Sequence, residues 1–211
     1  MLLGILSVII GYLLGSIPTA YIVSRARKGI DIRTVGSGNM GGANVMREIG
    51  THEGVFVGLF DVAKGAGAIL VAQALNVSEL WVFGAGFGAL VGHSFPVFAG
   101  FRGGKGSATV IGIFLVLVPL SMLVTFVIVA IPFFATRKFS AAILIGIALV
   151  VVAFVLLPLF IWLFEDSLML VRYVLPIGIF MLVRNLPGIK QLLAKGAIED
   201  IIYNRQQKKV E

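Results

Sequence analysis

From Leu2 to Ser24 the chain carries no charged side chain, and the same is true from Ser107 to Ala135 and from Ala141 to Phe164. About 20 apolar residues in a helix cross a bilayer's hydrocarbon core. Runs of this length have too little polar surface to face water, so they demand lipid or burial inside a helical bundle. The composition agrees, with 59% hydrophobic residues and 13% charged against roughly 25% charged in an ordinary soluble domain. A freely soluble enzyme is excluded. The formal net charge of +7, from 17 Lys+Arg against 10 Asp+Glu, points first to the rule that cytoplasmic loops hold the basic residues, and not to nucleic acid.

Charge also orders the spans. The run Leu2 to Ser24 is followed by Arg25, Arg27 and Lys28, the reverse of a cleaved signal peptide, so it reads as a first span with the N-terminus outside. Gly54 to Ala74 forms a second span, carrying Asp61 and Lys64, and Leu80 to Val91 a third, after an outside turn at Asn76 to Glu79. The run Ser107 to Ala135 exceeds one crossing and contains Pro119, which cannot continue a helical hydrogen-bond ladder. Two helices hinged there put Arg137, Lys138 and the tail with Lys190, Lys195, Arg205, Lys208 and Lys209 on the inside. The first of the pair, Ser107 to Val118, would be about 18 Å long and shielded within the bundle. Ala141 to Phe164 and Leu168 to Val183 complete about seven transmembrane helices, with Glu165 to Ser167 turning outside. Residues 1 to 211 thus read as one all-α integral membrane bundle with a cytoplasmic C-terminus, no repeat and no linker.

Two glycine-rich loops fall on the cytoplasmic side. The first runs Gly36-Ser37-Gly38-Asn39-Met40-Gly41-Gly42-Ala43-Asn44-Val45-Met46-Arg47. Closely spaced glycines let backbone N–H groups converge on an anion. Ser37 and Asn39 add donors, and Arg47, about a turn into a helical segment, adds a charge suited to phosphate oxygens. The second runs Phe101-Arg102-Gly103-Gly104-Lys105-Gly106-Ser107 and opens the short helix, a plausible phosphate cradle. It is not an ATPase loop, because Gly106 stands where Ser or Thr should follow the Lys, and Ala99 where the pattern's first Gly belongs. Lipid-anchoring basic residues would account for Arg102 and Lys105 but not for the glycines around them.

Other residues carry weaker signals. His93, ahead of Ser94, Phe95 and Pro96, reads more readily as a structural histidine than as a catalytic one. Asp61 and Lys64, three apart on one helix, are placed to pair, though ionisable groups within a membrane are also functional candidates. Ser140, beyond Arg137 and Lys138, can reach the cytoplasmic surface or simply cap a helix.

Several chemistries are closed to this chain. It has no Cys and only two His, His52 and His93, which removes thiolate nucleophiles and any credible metal set. Neither His is followed five positions on by an acid, since Val57 and Phe98 stand there, and no Gly-x-Ser-x-Gly elbow presents a serine. What remains is electrostatic catalysis on a phosphate-bearing substrate.

At these residues the chain resembles the bacterial PlsY family, integral-membrane glycerol-3-phosphate acyltransferases that use acyl phosphate as donor. The similarity rests on Asp31-Ile32-Arg33, Gly36 to Asn39, Gly41, Asn44, Val45 and Arg47, then Asp61 and Lys64-Gly65. It continues at Gly92-His93, Phe95 to Phe98, Phe101, Gly103 to Gly106, Ala108 and Thr109. It runs from the first span to about Ser140. Ala43 stands where the family usually has Thr, Ile143 replaces a second Ser, and the stretch Arg184 to Glu199 lacks the family's His.

The resemblance implies transfer of an acyl group from acyl phosphate to glycerol 3-phosphate, or a related polyol phosphate, at the cytoplasmic face of the cell membrane. The products would be lysophosphatidic acid and inorganic phosphate, without cofactor or metal. It implies Lys105, Arg47 and Asn39 as catalytic residues. Gly36, Ser37, Gly38, Gly41, Asn44, His93, Arg102, Gly103, Gly104 and Ser140 would contact substrate, in a monomer embedded in lipid that binds no nucleic acid. The alternative is a non-catalytic membrane paralogue that binds lipid or phosphate; an anion transporter is a weaker third, because the glycines cluster on one face instead of interrupting paired spans at mid-bilayer.

Overall fold

The computed structural model describes residues 1–119, 122 and 174–187, and these are helical apart from connecting loops. In chain order the elements are α1 (Leu2–Gly15), α2 (Thr19–Lys28), a 3₁₀ turn at Ile32–Thr34, α3 (Gly42–Glu48) and α4 (Thr51–Ala74). There follow α5 (Glu79–Ser94), a 3₁₀ turn at Val97–Ala99 and α6 (Ser107–Leu117), and then α7 (Val174–Pro187). Three stretches are long and apolar enough to cross a membrane, namely Leu2–Lys28, Thr51–Ala74 and Glu79–Ala99. The expected spans over 120–135 and 141–164, the C-terminal tail, and Ser140 lie outside the described residues.

The first span departs from the uninterrupted helix expected over Leu2 to Ser24. It breaks at Ser16 to Pro18, where α1 gives way to α2. Pro18 has no N–H to continue the ladder and disfavours the helical conformation in the residue before it. Beyond the break, α2 runs to Lys28 and stops at Gly29, whose φ of 69° is the left-handed geometry of a helix C-cap. The first helix of the pair expected to hinge at Pro119 ends there, and the second lies outside the described residues. α6 ends at Leu117, Val118 takes φ −140° and ψ 66°, and the chain is helical again at Pro119.

Helices approach one another backbone to backbone because small residues line their contacts. The buried face of α1 is Gly4, Ser7, Gly11 and Gly15, at the three- and four-residue spacing of one helix face. Gly11 and Gly15 lie against the main chain of Ala85 and Ala89 on α5, while Gly88 and Gly92 of α5 lie against Val8 and Tyr12 of α1. The same device joins α4 to α6, with Gly65 on the Thr109 carbonyl and Gly112 on the Val62 carbonyl. In lipid, where tails are as apolar as leucine, such close contact supplies the attraction between helices. Larger apolar residues face outward, including Leu2, Ile9 and Leu13 on α1 and Phe56, Leu59 and Leu70 on α4.

Two clusters of buried side chains position the polar end. Ile69, Leu90, Ile113, Phe114, Val118, Val174 and Ile177 join α4, α5, α6 and α7. Ala20, Ile32, Met40, Val45 and Val57 join α2, the first glycine loop, α3 and α4. The chain crosses from Met1 to the first loop, back along α4 to Asn76, and returns along α5 to the second loop. Both loops therefore lie at the end of the bundle opposite Met1 and Asn76.

Candidate active site

The first loop is built on Asp31, Arg33 and Asn44. Arg33 donates to the Asp31 carboxylate from Nε at 2.9 Å, from Nη2 at 2.7 Å and from its own amide at 3.0 Å. Its Nη1 donates 2.8 Å to the carbonyl of Ala99, and its guanidinium sits 4.9 Å from the Tyr21 ring centroid. Arg33 thus staples the first loop to the second. Its hydrogen bonds hold the Asp31 pKa at about 2, below the ordinary 3.8, against a smaller opposing effect of burial. A depressed carboxylate contributes its stability above the unfolded pKa and loses it as pH falls through the folded one. The melting difference between wild type and Asp31→Asn is therefore expected to stay constant above about pH 5 and to shrink from about pH 4 toward pH 2. Thermal melts across that range in detergent check it, and an undiminished difference at the acid end would disprove the staple's ionic character.

Asn44 is fully buried and its amide is taken up by the loop. Nδ2 donates to the carbonyls of Ile32 and Val35, both at 3.2 Å, while Oδ1 accepts from the Ser37 amide at 3.0 Å. Expected as a substrate contact, Asn44 is here the scaffold of the loop. Gly36 and Gly38 have φ of 58° and 67°, and a side chain at Gly36 would collide with Asn44 and Glu48. The Gly38 amide bonds the Val35 carbonyl at 3.0 Å. The amides of Ser37, Gly38, Gly41 and Asn44 are therefore engaged internally, while those of Asn39 and Met40 have no acceptor among the described residues.

The second loop folds onto the first. The Gly104 amide donates 3.1 Å to the His93 carbonyl. Gly104 also lies so close to the Met40 carbonyl and the His93 ring that a Cβ would strike both, as one at Gly103 would strike the His93 carbonyl. Gly106, with φ 91°, turns the chain into α6. The amides of Lys105, Gly106 and Ser107 have no acceptor among the described residues, as the first amides of a helix lack intrahelical partners.

Beneath this junction lies a buried ionic cluster. Lys64 Nζ is 2.8 Å from Asp61 Oδ1, both side chains 3% exposed, and donates 3.1 Å to the Ile17 carbonyl at the break between α1 and α2. The expected pairing of Asp61 with Lys64 is thus present. His93 is buried, with Nδ1 3.6 Å from Asp61 Oδ1, so it lies under the cradle with its ring against Gly104. These groups, with Pro18, Met40 and Pro96, line a cavity of about 10 Å³, the room of about one water.

The cations divide cleanly. Arg25, Arg27, Lys28, Arg33, Lys64 and Arg184 all have protein partners. Arg47, Arg102 and Lys105 have none among the described residues. Arg47 and Arg102 are exposed and Lys105 half-buried; Asn39 is half-buried, Ser37 exposed, and Gly41 precedes α3. Arg184 is the residue that the sequence reading passed over. Its Nη2 donates to the carbonyls of Gly104 at 3.0 Å and Ser94 at 3.2 Å. The available signal was a cation near the end of an apolar helix.

This end of the bundle, with paired glycine loops and unpartnered cations, matches a known group over nearly its whole length. The profile of the family described as glycerol-3-phosphate acyltransferase matches residues 5–195. The chain belongs to the glycerol-3-phosphate acyltransferase family. Within it, a glycerol-3-phosphate acyltransferase of Anaeromyxobacter dehalogenans is 47% identical over 152 residues, 70% of this chain and 76% of that protein. Another from Geobacter sulfurreducens is 37% identical over 183 residues, covering 87% and 90%. The crystal structure of PlsY, an integral membrane glycerol 3-phosphate acyltransferase, in its glycerol 3-phosphate form matches with a TM-score of 0.78. It is 32% identical and covers 91% of this chain and 92% of that one. The protein is thus an acyltransferase.

Proposed function

We propose that the protein transfers an acyl group from acyl phosphate to glycerol 3-phosphate in phospholipid synthesis, giving lysophosphatidic acid and inorganic phosphate. The observation that carries this reading is that Arg47, Arg102 and Lys105 have no protein partner among the described residues while the other described cations do. Positive charge held beside two joined glycine loops, with free amides at Lys105 and Gly106, is what two phosphate-bearing substrates require.

The chemistry balances without a protein nucleophile. The acceptor hydroxyl attacks the acyl carbonyl carbon, a new C–O ester bond forms, the acyl–phosphate C–O bond breaks, and the hydroxyl proton passes to the departing phosphate. Lys105 and the neighbouring amides stabilise charge on that phosphate, Arg47 binds phosphate oxygens, and Asn39 and Ser37 orient the substrate. Ser140 is proposed as a further contact from the resemblance alone. The site faces the cytoplasm in a cell-membrane bundle of about seven spans, with the N-terminus outside.

Purified protein in lipid vesicles, given acyl phosphate and glycerol 3-phosphate, is expected to release phosphate and form acylated product one for one. Substituting other polyol phosphates defines the acceptor. Absence of product with every acceptor would establish the non-catalytic binding protein instead.

A further inference from the structure

We propose that Arg184 is a positioning residue for the phosphate cradle, holding the Gly104–Lys105 peptide so that the Lys105 amide donates into the site. This rests on the acyltransferase reading above. Arg184 reaches from α7 to the neck of the second loop. One nitrogen, Nη2, bonds the carbonyl of Ser94 at the end of α5 and that of Gly104 within the second loop. The guanidinium is 4.8 Å from the Phe95 ring centroid, and Phe95 in turn meets Phe180 of α7 edge-on at 6.3 Å. No carboxylate pairs with Arg184 among the described residues.

The consequence follows from peptide geometry. A trans peptide points its carbonyl and the next N–H in opposite directions. With the Gly104 carbonyl tied to Arg184, the Lys105 amide is turned to the other side, and it has no acceptor among the described residues. The preceding peptide is fixed too, because the Gly104 amide donates to His93. Glycine on both sides of Lys105 leaves this backbone free to flip, so the orientation needs an external clamp. A flat guanidinium suits the task, since it stacks on Phe95 while reaching two carbonyls, and an ammonium loses the stack.

The test compares Arg184→Ala, Arg184→Lys and Lys105→Ala in lipid vesicles, reading kcat, both KM values, thermal midpoint and the response to added guanidinium ion. Arg184→Ala is expected to lower kcat on the order of 100-fold, as loss of one preorganised donor does. KM for glycerol 3-phosphate should stay within about threefold, and guanidinium should restore part of the rate, which a merely structural role would not allow. Wild-type kcat in Arg184→Ala, or a loss that tracks a falling midpoint and ignores guanidinium, overturns the inference. If Arg184→Ala does not fold, Arg184→Lys decides: reduced kcat at an unchanged midpoint supports it, and full kcat overturns it. Turnover retained in Lys105→Ala would instead bring down the site reading itself, whereas an inactive Lys105→Ala beside a normal Arg184→Ala removes only this inference.

Discussion

Lys105→Ala is expected to lower phosphate release by two to three orders of magnitude, about 100- to 1,000-fold, with the protein still folded in the membrane. The folded-state expectation comes from the ammonium's lack of any partner among the described residues, so its removal strands no buried charge. The kinetic expectation comes from where it sits. Gly104 and Gly106 flank it, its own amide is free, and so are those of Gly106 and Ser107, where α6 begins. In the proposed reaction a cation in that setting would oppose charge as it develops on the departing phosphate, an interaction stronger in the transition state than in the bound substrate. Arg27→Ala provides the contrast. Arg27 is also basic and close to the loops, but its side chain is 68% exposed and paired with Glu53 at 3.2 Å, a surface bridge worth about 0–1 kcal/mol. Its turnover should stay within about twofold of wild type. Phosphate-release assays on the two variants separate a phosphate-binding lysine from one that merely anchors the chain to lipid head groups. Equal small losses would support the anchor.

The sequence disclosed most of the helices because lipid imposes a coarse rule: a run without charge, long enough, is a span. That rule located α4, α5 and α6 to within a few residues, and the proline rule located the break at Val118. It failed at Pro18, where hydropathy stays high across the break and the Ile17 carbonyl is compensated by Lys64, 47 residues further along the chain. Glycine was legible only in part. The loop glycines announced themselves by clustering, but Gly11, Gly15, Gly88 and Gly92 do their work against a helix distant in sequence, and nothing local marks the partner. The meeting of the two loops is of the same kind. Arg33 and Ala99 are 66 residues apart, and the packing of the helices brings them together. Asn44 shows the limit for single residues. Its type suits a substrate donor and a loop scaffold equally, and the burial that decides between them belongs to the tertiary structure.

Lys64→Met is expected to destabilise the protein by about 3–5 kcal/mol, the cost of stranding one member of a buried ion pair. It leaves the Asp61 carboxylate buried with, among the described residues, only His93 Nδ1 as an ionisable partner at 3.6 Å, beyond ordinary hydrogen-bond reach. It also strips the Ile17 carbonyl of the Lys64 donor at the break between α1 and α2. Asp61→Asn keeps the shape of the site and an oxygen for Lys64, so it should cost less. The double variant should recover part of the Lys64→Met loss, because the stranded charge is gone, and the coupling between the two sites should fall in the range of about 0.5–3 kcal/mol seen for contacting residues. Melting midpoints of the three variants in detergent give that cycle directly. The same variants decide whether the cluster is a latch or part of the chemistry. A latch predicts that turnover, measured well below each midpoint, changes little in Asp61→Asn while stability falls. A proton-transfer role predicts the reverse, a folded and stable Asp61→Asn that cannot turn over. The geometry favours the latch, because Lys64 joins α4 to the break in the first span, while His93 supports Gly104 from below. The cluster thus ties α4 and the end of α5 to the break in the first span.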